Sequence, residues 1–322
     1  MSGKRAQGQG RIMSKKKPLT IGTRASPLAV RQSTILAEAL SAANQLEASS
    51  ISLTKITTRG DQVLDEKLSD LGGKGLFTEE LESGLREGAL DLAVHSLKDL
   101  PTQNADGLTL GAILPRANAA DMLVVRHGLS PSGLSDLPQG AHVGTASLRR
   151  QAQVLRARPD LKISLLRGNI GTRVERLNAA DMHAILLAAA GLQRLDMVPA
   201  GAVELDSEIV LPAAGQGALA VQCRADDEAT LALLAPLNCA VTQACVAAER
   251  SFLNALDGSC RTPIAALATI TDETLHLHGR LLADDGSDMA ETRVTCAPDE
   301  AKAAGHAAGQ ELRRTAPHLV TR

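Results

Sequence analysis

The chain has no tryptophan and no tyrosine, and its phenylalanines are Phe77 and Phe252 alone. Single-stranded nucleic acid is commonly held on stacked aromatic rings, and this sequence cannot build such a platform. Charge argues the same way. Thirty-four Lys and Arg face 36 Asp and Glu, for a net charge of -2, so no global basic field exists to draw in a polyanion. No nucleic-acid partner is expected, and anion recognition must be local. No apolar run is long and charge-free enough to span a bilayer, so no membrane partner is expected. Residues Met1 to Lys17 are basic and polar without an apolar stretch. They read as a disordered basic tail rather than a secretory signal, and Met13 offers a second start. The five cysteines are odd in number, with no CxxC and no Cys/His pair at zinc spacing. That excludes a disulfide framework and a zinc site, and it predicts free thiols in the reducing cytoplasm.

What is present suffices for several cores. At 322 residues and 44% hydrophobic composition, two or three domains are expected. Short apolar strands alternate with amphipathic segments. Leu19 to Thr23 reads as a strand, followed by a helix capped by Ser26 with Pro27 at its first position. A strand at Ile51 to Thr57 leads into a polar, Gly-punctuated segment, Thr58 to Gly75, too long for a simple turn. Thr78 is expected to cap a helix with Glu79 and Glu80 in its first turn. Further strands are expected at Leu92 to His95, Leu108 to Leu114, Met122 to Val125, His142 to Thr145, Lys162 to Leu166 and Ala184 to Ala188. Helices are expected at Ser147 to Arg158 and Thr172 to Ala180, and Pro115 to Asp121 reads as a hinge. The stretch Val241 to Leu256 is a helix with apolar residues at 241, 245, 248, 252 and 256. Alternating strands and helices predict an α/β protein with mixed sheets, and ligands of such sheets sit beyond the strand C-termini. A weak internal repeat pairs Ile21-Gly22-Thr23-Arg24-Ala25-Ser26-Pro27-Leu28 with Val143-Gly144-Thr145-Ala146-Ser147-Leu148-Arg149. Each presents a helix N-terminus, a ready anion site.

Chemistry concentrates in a few residues. Cys260, in Gly258-Ser259-Cys260-Arg261-Thr262-Pro263, places a thiol on a tight turn beside a cation, where thiolate character rises. Cys245 and Cys223 read as core, and Cys239 and Cys296 carry no signal. Arg149 and Arg150 occupy the first turn of a helix, the unfavourable end for cations, so an anion is expected to offset them; a solvated helix face is the alternative. Arg24, Arg167 and Arg173 lie near other strand-to-helix junctions, and Arg194 follows Gly191-Leu192-Gln193 near a further turn. Arg suits bidentate carboxylate binding, so the implied ligand carries several carboxylates or phosphates. Asp99 follows Lys98 just beyond a strand, where a carboxylate can protonate a leaving group or stabilise a cation; a turn-forming role is the alternative. His95 reads as a strand-end histidine. Gly72 to Phe77 lacks P-loop spacing, which argues against a nucleotide and for a lid carrying Lys74 and Phe77.

Taken in order, GTRASPLA, TRGD, GGKGLF, AVHSLKDLP, GTASLRRQ, RGNIGTR, LPAAGQGALA and DGSCRTPI resemble the porphobilinogen deaminase (hydroxymethylbilane synthase) family of tetrapyrrole biosynthesis over about residues 18 to 280. The resemblance implies two domains like the halves of a periplasmic binding protein, plus a smaller α+β domain. They would span 18–115 with 217–236, 118–212, and 239–322. It implies a dipyrromethane cofactor thioether-linked to Cys260, serving as primer. Four porphobilinogen molecules would then be joined head to tail with loss of ammonia, and hydrolysis would release hydroxymethylbilane. By the same resemblance Asp99 assists ammonia loss, stabilises the resulting cation and helps remove the α-proton. Cofactor and substrate carboxylates would meet Arg24, Arg149, Arg150, Arg167, Arg173 and Arg194. Ser26, Ser96, Thr145 and Ser147 would be neutral donors, Lys98 and Lys74 would lie nearby, and Phe77 would cover the site. A monomer with no metal is implied. Asp70 and Glu79 stand where family members can carry Lys, which leaves the loop's charge contribution open. Two other classes stay in view. A non-catalytic receptor for an organic polyanion would not need Asp99 and Cys260. A thiol acyltransferase would need a His or Asn partner that the sequence does not identify.

Overall fold

The computed structural model describes residues 18–58, 78–179, 182–256 and 262–320. In chain order come β1 (Leu19–Arg24), α1 (Pro27–Asn44), β2 (Ile51–Ile56), α2 (Glu79–Arg86), β3 (Leu92–Ser96) and β4 (Leu108–Ile113). Next are β5 (Asp121–Val125), β6 (His142–Gly144), α3 (Leu148–Ala157), β7 (Lys162–Ser164), α4 (Ile170–Ala179), β8 (Ala184–Ala188), α5 (Ala189–Arg194) and β9 (Val203–Glu204). The last group is β10 (Leu219–Arg224), α6 (Glu228–Leu234), α7 (Ala240–Ala255), β11 (Ile264–Thr271), β12 (Thr274–Leu282), β13 (Met289–Cys296) and α8 (Ala301–Thr315).

Two five-stranded sheets share one plan. The first runs β2-β1-β3-β10-β4 and the second β7-β6-β8-β5-β9. In the first, β1 is parallel to β2 and β3, while β10 is antiparallel to β3 and β4. In the second, β6 is parallel to β7 and β8, while β5 is antiparallel to β8 and β9. The repeat seen in the sequence is therefore structural: β1 with α1 corresponds to β6 with α3. Each helix starts from a serine whose hydroxyl accepts a backbone N–H, Ser26 from Ala29 and Ser147 from Arg150. The central strands are buried on both faces, as continuous apolar runs such as β5 require.

The chain passes between the sheets twice. Residues 114–120 carry it from β4 to β5, and residues 205–218 return it from β9 to β10. The expected hinge at Pro115 to Asp121 is the first crossover, except that Asp121 already belongs to β5. The two crossovers touch backbone to backbone. Ala117 N donates to Gly217 O at 3.1 Å. Gly217 has φ +87°, and a Cβ there would come 2.4 Å from Ala117 O. Only glycine allows this approach.

A third, antiparallel sheet, β11-β12-β13, is covered by α7 and α8. Phe252 is fully buried in its core with Leu275, Leu277 and Leu281. Cys245 and Cys223 are buried, as their apolar positions predict. Two expectations need correction. Val241 is 57% exposed, because it sits in the first turn of α7, before the helix reaches the sheet. Thr78 precedes α2, but its hydroxyl caps nothing: at φ -126° and ψ -25° it lacks the extended geometry that aims a side chain at the N3 amide. Helices α5 and α6 and strand β9 were not anticipated, being short and weakly periodic.

One carboxylate joins all three parts. Glu249, fully buried on α7, takes both Nη atoms of Arg116 on the first crossover, with Nη2 at 3.1 Å. It also accepts Gly215 N on the second crossover and Ala268 N on β11, each at 2.7 Å. Removing one member of a buried pair strands the other, at a cost of about 3–5 kcal/mol. Glu249→Ala should lower unfolding stability by about that amount in urea titrations, and Glu249→Gln by less. A loss below about 1 kcal/mol in Glu249→Ala would contradict this assignment.

Candidate active site

The C-terminal ends of the parallel strands carry the polar residues singled out above. Arg24 ends β1, and Ser26 caps the helix that follows. Ser96 ends β3 and accepts Gln32 Nε2 at 2.8 Å. A 3-10 turn, Leu97–Asp99, then presents Lys98 and Asp99. In the second sheet, Thr145 follows β6 and accepts Ser147 N at 3.1 Å, while Ser147 accepts Arg150 N at 3.4 Å. All four hydroxyls use an acceptor lone pair in these bonds, so each O–H still has a hydrogen to donate.

Arg149 and Arg150 are only 6% exposed each. The anion that offsets them at the start of α3 is a protein carboxylate, Asp121. Arg149 Nη1 reaches Asp121 Oδ2 at 2.7 Å and Leu211 O at 2.7 Å. Arg150 meets Asp121 Oδ1 through Nε at 3.1 Å and Nη2 at 2.6 Å, and Leu186 O through Nη1 at 3.0 Å. Burial alone would raise the Asp121 carboxyl, but the two guanidiniums hold it well below the usual range. The anion expected to offset the helix-end cost is thus supplied inside the fold. One carboxylate cannot neutralise two guanidiniums, and a surplus positive charge remains.

Lys98 adds to that surplus. Burial pushes its ammonium down to about 8; Asp99 and Asp121 oppose this, and Arg149 and Arg150 reinforce it. Arg173 is lowered to about 10, chiefly by burial, then by Arg150 and Arg167, with Asp99 opposing. Its Nε donates to Gly168 O at 2.7 Å, which folds the turn before α4 back on itself. Arg167 has a buried Nη1 with no hydrogen-bond partner among the described residues. Five cations (Lys98, Arg149, Arg150, Arg167, Arg173) therefore share one electrostatic neighbourhood with two carboxylates, Asp99 and Asp121. Asp99 is the exposed member.

The remaining residues fall elsewhere. Arg194 donates to Gly217 O at 2.7 Å and is lowered to about 10 by burial, so it braces the second crossover. Arg24 lies near His95. Cys260, Lys74 and Phe77 lie outside the described residues, as do Asp70 and most of the proposed lid. Sequence reasoning missed Asp121, Gln216, Arg116 and Glu249. A signal existed for two of them. Asp121 opens the apolar strand DMLVV, and Glu249 interrupts the apolar stripe of α7. A carboxylate in either setting must be paired.

His95 is buried on β3, with Nε2 3.1 Å from Gln222 Oε1. Burial lowers it from 6.5 to about 4, so it is neutral and structural at neutral pH, as a strand-end residue should be. Below pH 6.5 the unfolded chain takes up this proton first, so stability falls as pH drops from 6.5 towards 4. His95→Gln should remove up to about 3 kcal/mol of that pH dependence in denaturant titrations. An identical pH profile in variant and parent would contradict the assignment.

Comparison with known proteins bears on this site. Residues 19–232 match the family model described as porphobilinogen deaminase, dipyromethane cofactor binding domain. Residues 243–314 match the porphobilinogen deaminase C-terminal domain. The porphobilinogen deaminase of Sphingopyxis alaskensis is 50% identical over 272 residues, 84% of this chain and 86% of that one. The porphobilinogen deaminase of Nitrobacter winogradskyi is 44% identical over 297 residues, covering 92% and 93%. Among solved structures, a substrate-binding domain of a putative amino acid ABC transporter from Streptococcus pneumoniae is 13% identical, with a TM-score of 0.41, over 69% of this chain and 92% of that one. At that score the likeness adds nothing to the architecture read from the sheets themselves. The family models and the curated relatives agree over nearly the whole described length, and this chain belongs to the porphobilinogen deaminase family.

Proposed function

We propose that the cluster around Asp99 binds the carboxylate arms of porphobilinogen and of a dipyrromethane primer, and that Asp99 handles the protons of each condensation. One observation carries this reading: among the described residues five cations share one electrostatic neighbourhood with two carboxylates, one of which is exposed, while a buried Arg167 Nη1 has no acceptor there. A neutral ligand would leave that surplus uncompensated, whereas pyrrole acetates and propionates match it. The residues present therefore fit the cofactor that the matched domain is described as binding.

When bound, dipyrromethane supplies a nucleophilic pyrrole carbon, tethered through the Cys260 sulfur. This chain's own residues do the rest. Arg149, Arg150, Arg167, Arg173 and Lys98 grip carboxylates, with Arg24 and Arg194 at the margins. Ser26, Ser96, Thr145 and Ser147 donate hydroxyl hydrogens. Asp99 delivers a proton as the substrate's C–N bond breaks and ammonia leaves. Its carboxylate then faces the substrate cation and accepts the α-proton lost after the C–C bond forms. Each addition thus returns Asp99 to its starting state, and four additions followed by hydrolysis give hydroxymethylbilane. Lys74 and Phe77 would close over the site from the Thr58 to Gly75 segment. The domain division 18–115 with 217–236, 118–212 and 239–322 belongs to the same reading. So do a cytoplasmic monomer and the lack of a nucleic-acid or membrane partner.

Asp99→Ala should still take up substrate but release ammonia about a hundredfold or more slowly, the usual scale for a lost acid–base group. Ammonia release and porphobilinogen binding, measured side by side, test this. Near-normal release would remove Asp99 from the mechanism.

A further inference from the structure

Gln216 lies on the second crossover and is completely buried. Its side-chain amide spends every polar atom. Nε2 donates to Ala119 O at 2.7 Å and to Asp121 Oδ1 at 2.9 Å. Oε1 accepts Lys98 Nζ at 3.1 Å. Its backbone carbonyl takes Arg116 Nε at 2.8 Å. The direction of the amide is determined by chemistry: the ionised Asp121 can only accept and the Lys98 ammonium can only donate, so the two ends cannot be exchanged.

We propose that Gln216 is a positioning residue that spaces Lys98, on the turn after β3, from the Asp121-held pair Arg149 and Arg150 on α3. Ligand carboxylates are then gripped from both sheets in one register. The neutrality of the amide is the point. A carboxylate at this position would hold Lys98 as firmly but cancel its charge, whereas an amide holds it and leaves the charge for the ligand. Side-chain length matters too: asparagine, one methylene shorter, cannot span both partners. This inference rests on Lys98 being a ligand-gripping residue, but its test reads the protein directly and does not require turnover.

The groups facing Lys98 are Asp99 on its own turn, Asp121 on β5, and Arg149 and Arg150 on α3, beside Gln216 itself. Competitive acetic anhydride labelling of the full-length holoenzyme, read at Lys98 by mass spectrometry across neutral to alkaline pH, reports its titration midpoint, expected near 8 in the parent. Gln216→Glu should raise the midpoint by about one unit, since a carboxylate stabilises the ammonium. Gln216→Met should lower it by about half a unit, since the acceptor is lost. Gln216→Glu should also raise KM for porphobilinogen about tenfold while changing kcat less. Midpoints that stay put, or that shift in the same direction in both variants as general loosening would produce, would overturn the proposal. If Gln216→Glu does not fold, Gln216→Met decides alone: a downward shift supports the proposal, and no shift or an upward one overturns it. An unprimed or inactive preparation would show in the parent's turnover and leave the labelling comparison intact.

Discussion

A buried carboxylate organises this protein. Asp121 is fully inaccessible, yet it stays ionised because two guanidiniums and one amide converge on it. Its partners come from two places: α3 supplies Arg149 and Arg150, and the second crossover supplies Gln216. Burying a charge is tolerable only when its lone pairs are satisfied, so the partners are as constrained as the carboxylate. The result is a joint of β5, α3 and the second crossover. Glu249 repeats the arrangement one layer away, tying both crossovers to the third sheet.

That joint explains why the site is cationic without the protein being basic. The chain as a whole is slightly acidic, at -2. Around Asp99, however, arginines are brought together by backbone and carboxylate contacts that do not neutralise them. Burial lowers Lys98 and Arg173. On the proposed function, the penalty of burial would be recovered when ligand carboxylates enter. A polyanionic primer and substrate would therefore be structural components of the cluster as well as reactants, and their arrival would stabilise the arrangement they bind.

Much of this was legible in the sequence. Ser26 with Pro27, and Ser147, announced the helix starts, and alternating apolar strands announced mixed sheets. The placement of Arg149 and Arg150 in the first turn of a helix announced an anionic partner, which is Asp121. Contacts remote in sequence were not legible. Asp121 pairs with Arg149 and Arg150 28 and 29 residues away, and Glu249 with Arg116 at 133. Local patterns carry no record of such pairs. What they do carry is the anomaly of an acidic residue inside an apolar strand or helix stripe, and that anomaly was passed over. Val241 failed for the opposite reason: periodicity extends a buried face into a first turn that the neighbouring sheet does not reach. Thr78 failed because residue type alone does not set the extended backbone a cap needs.

The central claim is that this cationic cluster serves a primer bonded to Cys260. Intact mass under denaturing conditions tests it most directly. The account predicts a mass excess matching a two-pyrrole adduct, present in the parent chain and absent from Cys260→Ser. A parent with no excess even after incubation with porphobilinogen, or a Cys260→Ser protein that retains it, would contradict the account.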